Sequence, residues 1–264
     1  DSPLGTAAIR QLNQFSLDTT FISRGGERLG LYYLEHGTSL RPGRIIYDRK
    51  NASFNAISPD EINMDLLFDN ISWVHWSGIT PALSENAARL CQLLLPEAGE
   101  RGLPVSCDLH YRANLWKYGK SPLQVIPDLL KNTTYLIGDP NAIRQMTQEV
   151  VPDDTGFLSE DELFSSFEDT HKEFPNLACI GMLSRKIYSA SDNELKGLLY
   201  HGSGTVSSTY RISPITDRIG GGDAFMAGII HGYSTGIPEV EIIEWAAALA
   251  AYKHTLPGDH LEGT

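Results

Sequence analysis

Before residue 50, apolar positions come in two short runs, LGLYYLEHG and GRIIYDRK, joined by a connection containing Gly and Pro, which predicts a hairpin or small sheet. A short helix over Thr6–Phe15 precedes them. From Ile71 the rhythm changes. SWVHWSG predicts a strand, SENAARLCQLLLPEAG a helix opened by Ser84, and LPVSCDLHYR a strand whose polar end carries Asp108, His110, Tyr111 and Arg112. A helical segment over Ser121–Leu130 follows, then the strand TTYLIGD, a helix after Pro140 and the helix SEDELFSSFEDTH. ACIGML and the runs LLYHG and STYRI supply further strands. The last part is helical: Phe225, Ile229, Ile230 and Tyr233 share one face, and Val240, Ile243, Ala247 and Ala250 repeat the pattern. Strands alternating with helices at this spacing predict an α/β fold, a mostly parallel sheet with helices on both faces and sites at the carboxyl ends of strands.

Composition bounds the reading. At 264 residues and 41% hydrophobic, the chain supports one substantial core, so residues 1–264 are expected to form a single domain. A net charge of −12 argues against a broad nucleic-acid surface and leaves room for a small anionic substrate held by local donors. Cys91, Cys107 and Cys179 are far apart in apolar surroundings and read as buried free thiols. With no membrane-length apolar run and no signal-peptide start, a cytoplasmic protein without a membrane partner is expected.

The chemistry gathers at Asp217–Tyr233, DRIGGGDAFMAGIIHGY. Gly220, Gly221 and Gly222 can take positive φ and let a ligand approach the backbone. If a helix begins there, its unpaired N–H groups and positive dipole end can receive a phosphoryl group. Asp223 would then either favour the helix N-terminus or accept a proton from a substrate hydroxyl, and both readings stand at this level. GxxxxGK[ST], an early GxGxxG, HExxH and GxSxG are absent.

DRIGGGDAF resembles the GAGDAF region of the ribokinase-like, PfkB-type carbohydrate kinases. RGGERLGLYYLEHG, RPGRIIYDRKNASF, SGITPALSENAA, SCDLHYRANLW and AYKHTLPGDH narrow the likeness to members acting on 2-keto-3-deoxygluconate, and it runs from Asp1 to the C-terminus. The resemblance implies a ribokinase-like, Rossmann-type core with a small β-sheet lid, to which residues 28–50 contribute. It implies that the three glycines form an anion hole, that Asp223 is the base on the sugar hydroxyl, and that Asp217 lies on the nucleotide side. Tyr32, Tyr47, Arg49 and Arg112 match positions that contact the sugar acid or the phosphoryl region, and arginine suits this because its planar donors pair with carboxylate or phosphate oxygens. ATP as donor, Mg2+ and a homo-oligomer are implied as well, with 2-keto-3-deoxygluconate phosphorylated at its terminal hydroxyl. Another sugar acceptor, or a catalytically weak sugar-acid-binding protein, is the alternative.

Several segments depart from the pattern. His110 stands where related DxNYR segments carry Asn, and reads first as a satisfied structural histidine, with a proton shuttle as the alternative. Asp108 reads as a strand-end group that orients its neighbours. TTYLIGDPNAIRQM begins with Asp139 where relatives carry an Asn-x-x-Glu motif, so the protein ligands of magnesium stay unassigned. Ser184, Arg185 and Lys186 are placed near the phosphates or in a solvated basic turn, and His254 near the adenine side. The family's first strand and glycine-rich segment do not precede Asp1, so the sequence reads as N-terminally incomplete.

Overall fold

A computed structural model of the chain describes residues 2–148 and 158–261; Asp1, where the family likeness begins, lies outside the described residues. The first helix, α1 (Pro3–Gln14), is capped by Ser2, whose Oγ accepts the Gly5 N–H at 3.1 Å, and it buries none of its residues. The two early apolar runs pair as expected: β1 (Leu31–Glu35) and β2 (Arg44–Asp48) form a two-stranded antiparallel sheet. Its register sets Tyr32 opposite Tyr47 on one face and Tyr33 opposite Ile46 on the other.

After the short α2 (Met64–Leu67), the main sheet begins with β3 (Val74–Ser77). Next come α3 (Thr80–Leu83), α4 (Glu85–Glu100), β4 (Val105–Asp108), α5 (Ile126–Leu130), β5 (Tyr135–Ile137), α6 (Pro140–Thr147), α7 (Glu160–Glu173) and β6 (Cys179–Ser189). Ser84 caps α4 through its Oγ, as its sequence predicts. The helix expected over 121–130 is divided into a 3-10 turn at Pro122–Gln124 and α5, because Pro127 supplies no amide to continue one ladder. Strands β3, β4, β5 and β6 are parallel neighbours in that order; β7 (Asp192–Tyr200) joins β6 antiparallel and carries β8 (Gly204–Val206) and β9 (Tyr210–Ile212). Ser184, Arg185 and Lys186, for which a solvated basic turn is one of two readings, instead lie in the part of β6 that extends past the core and pairs with the start of β7.

Strand alternation gives the sheet two apolar faces. Val105, Cys107, Leu136 and Ile180 pack towards α4 to α7, whereas Ile137, Cys179, Leu195 and Leu199 pack against α8 (Gly221–Thr235) and α9 (Glu239–Lys253). Helices α8 and α9 approach closely at Gly228, where a Cβ would sit 2.6 Å from Ala246 Cα. The apolar face of α9 is Ile242, Ile243, Ala246, Ala247 and Ala250; Val240 is 60% exposed, one residue too early in the helix to reach the core. All three cysteines are free and buried, and burial pushes the Cys91 and Cys179 thiols up to about 12. Among the described residues, no helix is long and apolar enough to cross a membrane.

Candidate active site

The loop before α8 is folded by its own carboxylate. Asp217 is buried; its Oδ1 accepts the Ile219 N–H at 3.1 Å and its Oδ2 the Gly258 N–H at 3.2 Å, which ties the loop to the chain after α9. Arg218 fastens the other side, donating to the Ser189 carbonyl at 2.6 Å and to Asn193 Oδ1 at 2.9 Å. Gly220, the residue before the helix, has φ +78°, and a Cβ there would overlap the Asp259 carbonyl oxygen. At Gly221 a Cβ would sit 2.5 Å from Cε1 of His254. Gly222 faces outwards, its Cβ position 3.9 Å from His110 Cε1 and 4.0 Å from Asp108 Oδ2. The Gly222 and Asp223 amides donate to no backbone or capping group among the described residues, so two donors at the positive helix end remain free for an anion.

The ends of the parallel strands converge on this turn. Asp108, at the end of β4, is buried, and its Oδ2 lies 2.9 Å from His110 Nε2. This contact raises the His110 pKa above its ordinary value, while burial opposes the shift. On β3, His75 Nδ1 meets Ser106 Oγ at 2.9 Å, and burial lowers its pKa. The charge of Asp223, exposed at the third residue of α8, acts on both histidines. Asp139 caps α6 by accepting the Ala142 N–H at 3.0 Å. A cavity of about 180 Å³ is lined by Asp108, His110, Asp139, Arg185 and Gly222.

A larger cavity, of about 560 Å³, is lined by Tyr47, Arg49, Lys50, Arg112, Asn114 and Lys117 among others, with no carboxylate in its wall. Four cationic side chains around one cavity, in a chain of net charge −12, are a local reversal of sign. The Arg49 guanidinium lies over the Tyr47 ring at 4.4 Å, and Arg112 Nη1 donates to the Tyr111 carbonyl at 2.9 Å. Tyr32 shares the Tyr47 face but turns elsewhere: its hydroxyl donates to Asp259 Oδ2 at 3.3 Å, bridging β1 to the turn over Gly220. A third cavity, of about 270 Å³, is lined by Leu34, Arg185, Thr216, Asp217, Arg218 and Ile219 among others.

Of the expected contacts, Tyr32, Gly220, Gly221, Asp223, Ser184 and His254 line none of these three cavities. Ser184 and Arg185 are neighbours on β6 and therefore point to opposite faces; Arg185 lines two cavities, while Ser184 shares the face of Lys186, whose ammonium lies 5.0 Å from the Tyr188 ring centroid. His254 is fully buried behind Gly221, its Nδ1 2.6 Å from the Ala250 carbonyl, so it supports the turn and lines none of these cavities. Sequence reasoning missed Lys50, Lys117 and His75. A lysine in a loop carries no local signal of the cavity that long-range folding builds, and a histidine in a strand none of the charged groups that the fold brings near it.

No family model matches the chain. The 2-dehydro-3-deoxygluconokinase of Thermotoga maritima, a crystal structure, superposes with a TM-score of 0.91 at 31% identity, covering 99% of this chain and 78% of its own. A PfkB family carbohydrate kinase from Listeria grayi superposes with a TM-score of 0.87 at 32% identity, covering 98% of this chain and 78% of that one. The 2-dehydro-3-deoxygalactonokinase of Haloferax volcanii is 28% identical over 261 residues, 98% of this chain and 75% of that protein.

Proposed function

The chain belongs to the PfkB family of carbohydrate kinases, and from that premise we propose that it transfers the γ-phosphoryl group of ATP to the terminal hydroxyl of 2-keto-3-deoxygluconate, giving the 6-phosphate and ADP. The observation that carries this reading is a helix N-terminus with free amides and Asp223 in its first turn, in a chain that also gathers four cations and no carboxylate around one cavity. A keto-deoxy sugar acid has a carboxylate at one end and a primary hydroxyl at the other. Arg49 and Arg112 suit the carboxylate, with Tyr47 against the sugar.

The hydroxyl oxygen attacks the γ-phosphorus, the bond to the β,γ-bridging oxygen breaks with its electron pair leaving on ADP, and Asp223 takes the hydroxyl proton. The amides of the glycine turn stabilise charge on the transferring group without moving, because Gly220 and Gly221 are packed against Asp259 and His254. Arg185 and the Asp217 loop border the nucleotide phosphates. Magnesium neutralises charge on those phosphates when bound. Among the described residues no group of three or more His, Cys, Asp or Glu gathers as a metal cage, so the ion would be carried chiefly by the nucleotide.

We assign β1 and β2 the role of a lid on the acceptor within a single kinase domain. Their outer face, with Tyr33 and Ile46 exposed, is suited to a second copy of the chain. ATP dependence and three free thiols fit a cytoplasmic setting. The Haloferax relative favours a second reading, in which the acceptor is the C4 epimer, 2-keto-3-deoxygalactonate. Coupled measurement of ADP formation with both acids and with fructose tests the proposal: the acids should turn over with kcat/KM well above fructose, and selective phosphorylation of fructose would overturn it.

A further inference from the structure

His110 is the one imidazole in the wall of the small cavity, and its geometry constrains what it offers there. Its Nε2 lies 2.9 Å from Asp108 Oδ2. A carboxylate only accepts, so Nε2 carries a hydrogen in either charge state, and the neutral ring presents a bare Nδ1. Among the described residues no hydrogen bond is made to Nδ1. The ring lies next to Gly222, with Cε1 3.9 Å from that residue's Cβ position, beside the free amides of α8. Cε1 joins the two ring nitrogens, so Nδ1 is one bond from the atom closest to the cradle.

Resting on phosphoryl transfer at Asp223, we propose that His110 is a further catalytic residue, which as the imidazolium donates its Nδ1–H to an oxygen of the transferring phosphoryl group. The neutral ring would set a lone pair against that oxygen, so protonation converts a repulsive neighbour into a charged donor. No bond to the ring is made or broken.

The surrounding charges are mixed. Asp108 on β4 and Asp223 on α8 favour the cation, while Arg112 opposes it. His75 on β3 feels His110 as a like charge, and Asp139 before α6 and Arg185 on β6 share the cavity wall. The Asp108 contact dominates and raises the His110 value, so the imidazolium is present below that raised value and lost as pH climbs through it. Loss of the imidazolium therefore gives turnover a basic limb from His110.

The test combines kinetics with an activity-independent titration. In wild type, kcat for the sugar acid should fall on the basic side. His110→Asn, whose amide donates at every pH, should flatten that limb, and His110→Phe should lose about 10²-fold in kcat below neutral pH with little change in KM for the acid. In 15N-histidine-labelled wild type, the His110 signal should show the Nε2–H tautomer when neutral, and its apparent pKa should rise on saturation with inorganic phosphate. A His110→Asn profile that overlays wild type would overturn the proposal while leaving the kinase reading intact. If no acceptor is phosphorylated, the kinase reading falls and the labelled titration decides: a phosphate-dependent rise supports the His110 donor, and no rise overturns it.

Discussion

The turn at the start of α8 and the two-stranded β1–β2 sheet share the wall of the 270 Å³ cavity and are built in opposite ways. The turn is held from every side: Asp217 binds two amides, Arg218 reaches the β6–β7 hairpin, and His254 and Asp259 fill the space where side chains at Gly221 and Gly220 would be. The small sheet pairs only with itself, and Tyr33 on its outer face is 57% exposed. Charge stabilisation during transfer needs donors that do not reorganise, whereas an acceptor must enter and leave. The difference in packing matches that division.

The sharpest way to break the comparison is Asp223→Asn, which should lower kcat by about 10²–10⁴-fold with an unchanged melting temperature, because the residue is exposed and only its proton acceptance is lost. A wild-type rate in that variant would remove Asp223 as base. On stability, Phe225→Ala behind the turn should cost about 3–5 kcal/mol in denaturant unfolding, whereas Tyr33→Ser on the sheet should stay within about 0.5 kcal/mol. Equal costs would dissolve the contrast between supported turn and free sheet.

How much of this was legible beforehand depended on whether the signal was local. Gly220, Gly221, Gly222 and Asp223 are contiguous, and three glycines before an apolar helical run say in one string that backbone, rather than side chain, is the working surface. The cationic cavity draws on residues 47–55, 79–83 and 112–117, so Lys50 and Lys117 read as ordinary surface lysines until the fold joins them to Arg49 and Arg112. Arg185 and Ser184 differ only by strand parity, which the sequence does not assign because nothing local marks 184–186 as part of a strand. His254 is placed near the adenine side by the family likeness of its C-terminal segment; burial makes it the packing behind Gly221.

Smaller effects sharpen the contrast further. His254 and His75 have pKa values pushed down by burial, so the folded state binds fewer protons than the unfolded chain. With His110, whose raised value acts in the opposite sense, replaced by Asn, stability should therefore be complete above the ordinary histidine value and decline as pH falls through it, seen as a falling melting temperature between about pH 7 and 5. A flat profile would mean that the packing behind Gly221 tolerates a charged ring. Ile46→Lys on the outer sheet face should shift sedimentation towards monomer with intact melting; no shift would place the partner surface elsewhere.

The central claim is that the acceptor lies with its carboxylate among the cations of the 560 Å³ cavity and its hydroxyl at Asp223. The direct measurement is kcat/KM for 2-keto-3-deoxygluconate and for fructose in wild type and Arg49→Ala. Loss of a charge-assisted pair of about 1.5–3 kcal/mol should reduce the value for the acid by about 10–100-fold and leave the weaker fructose rate nearly unchanged. Equal losses on both substrates, or a wild-type preference for fructose, would contradict it.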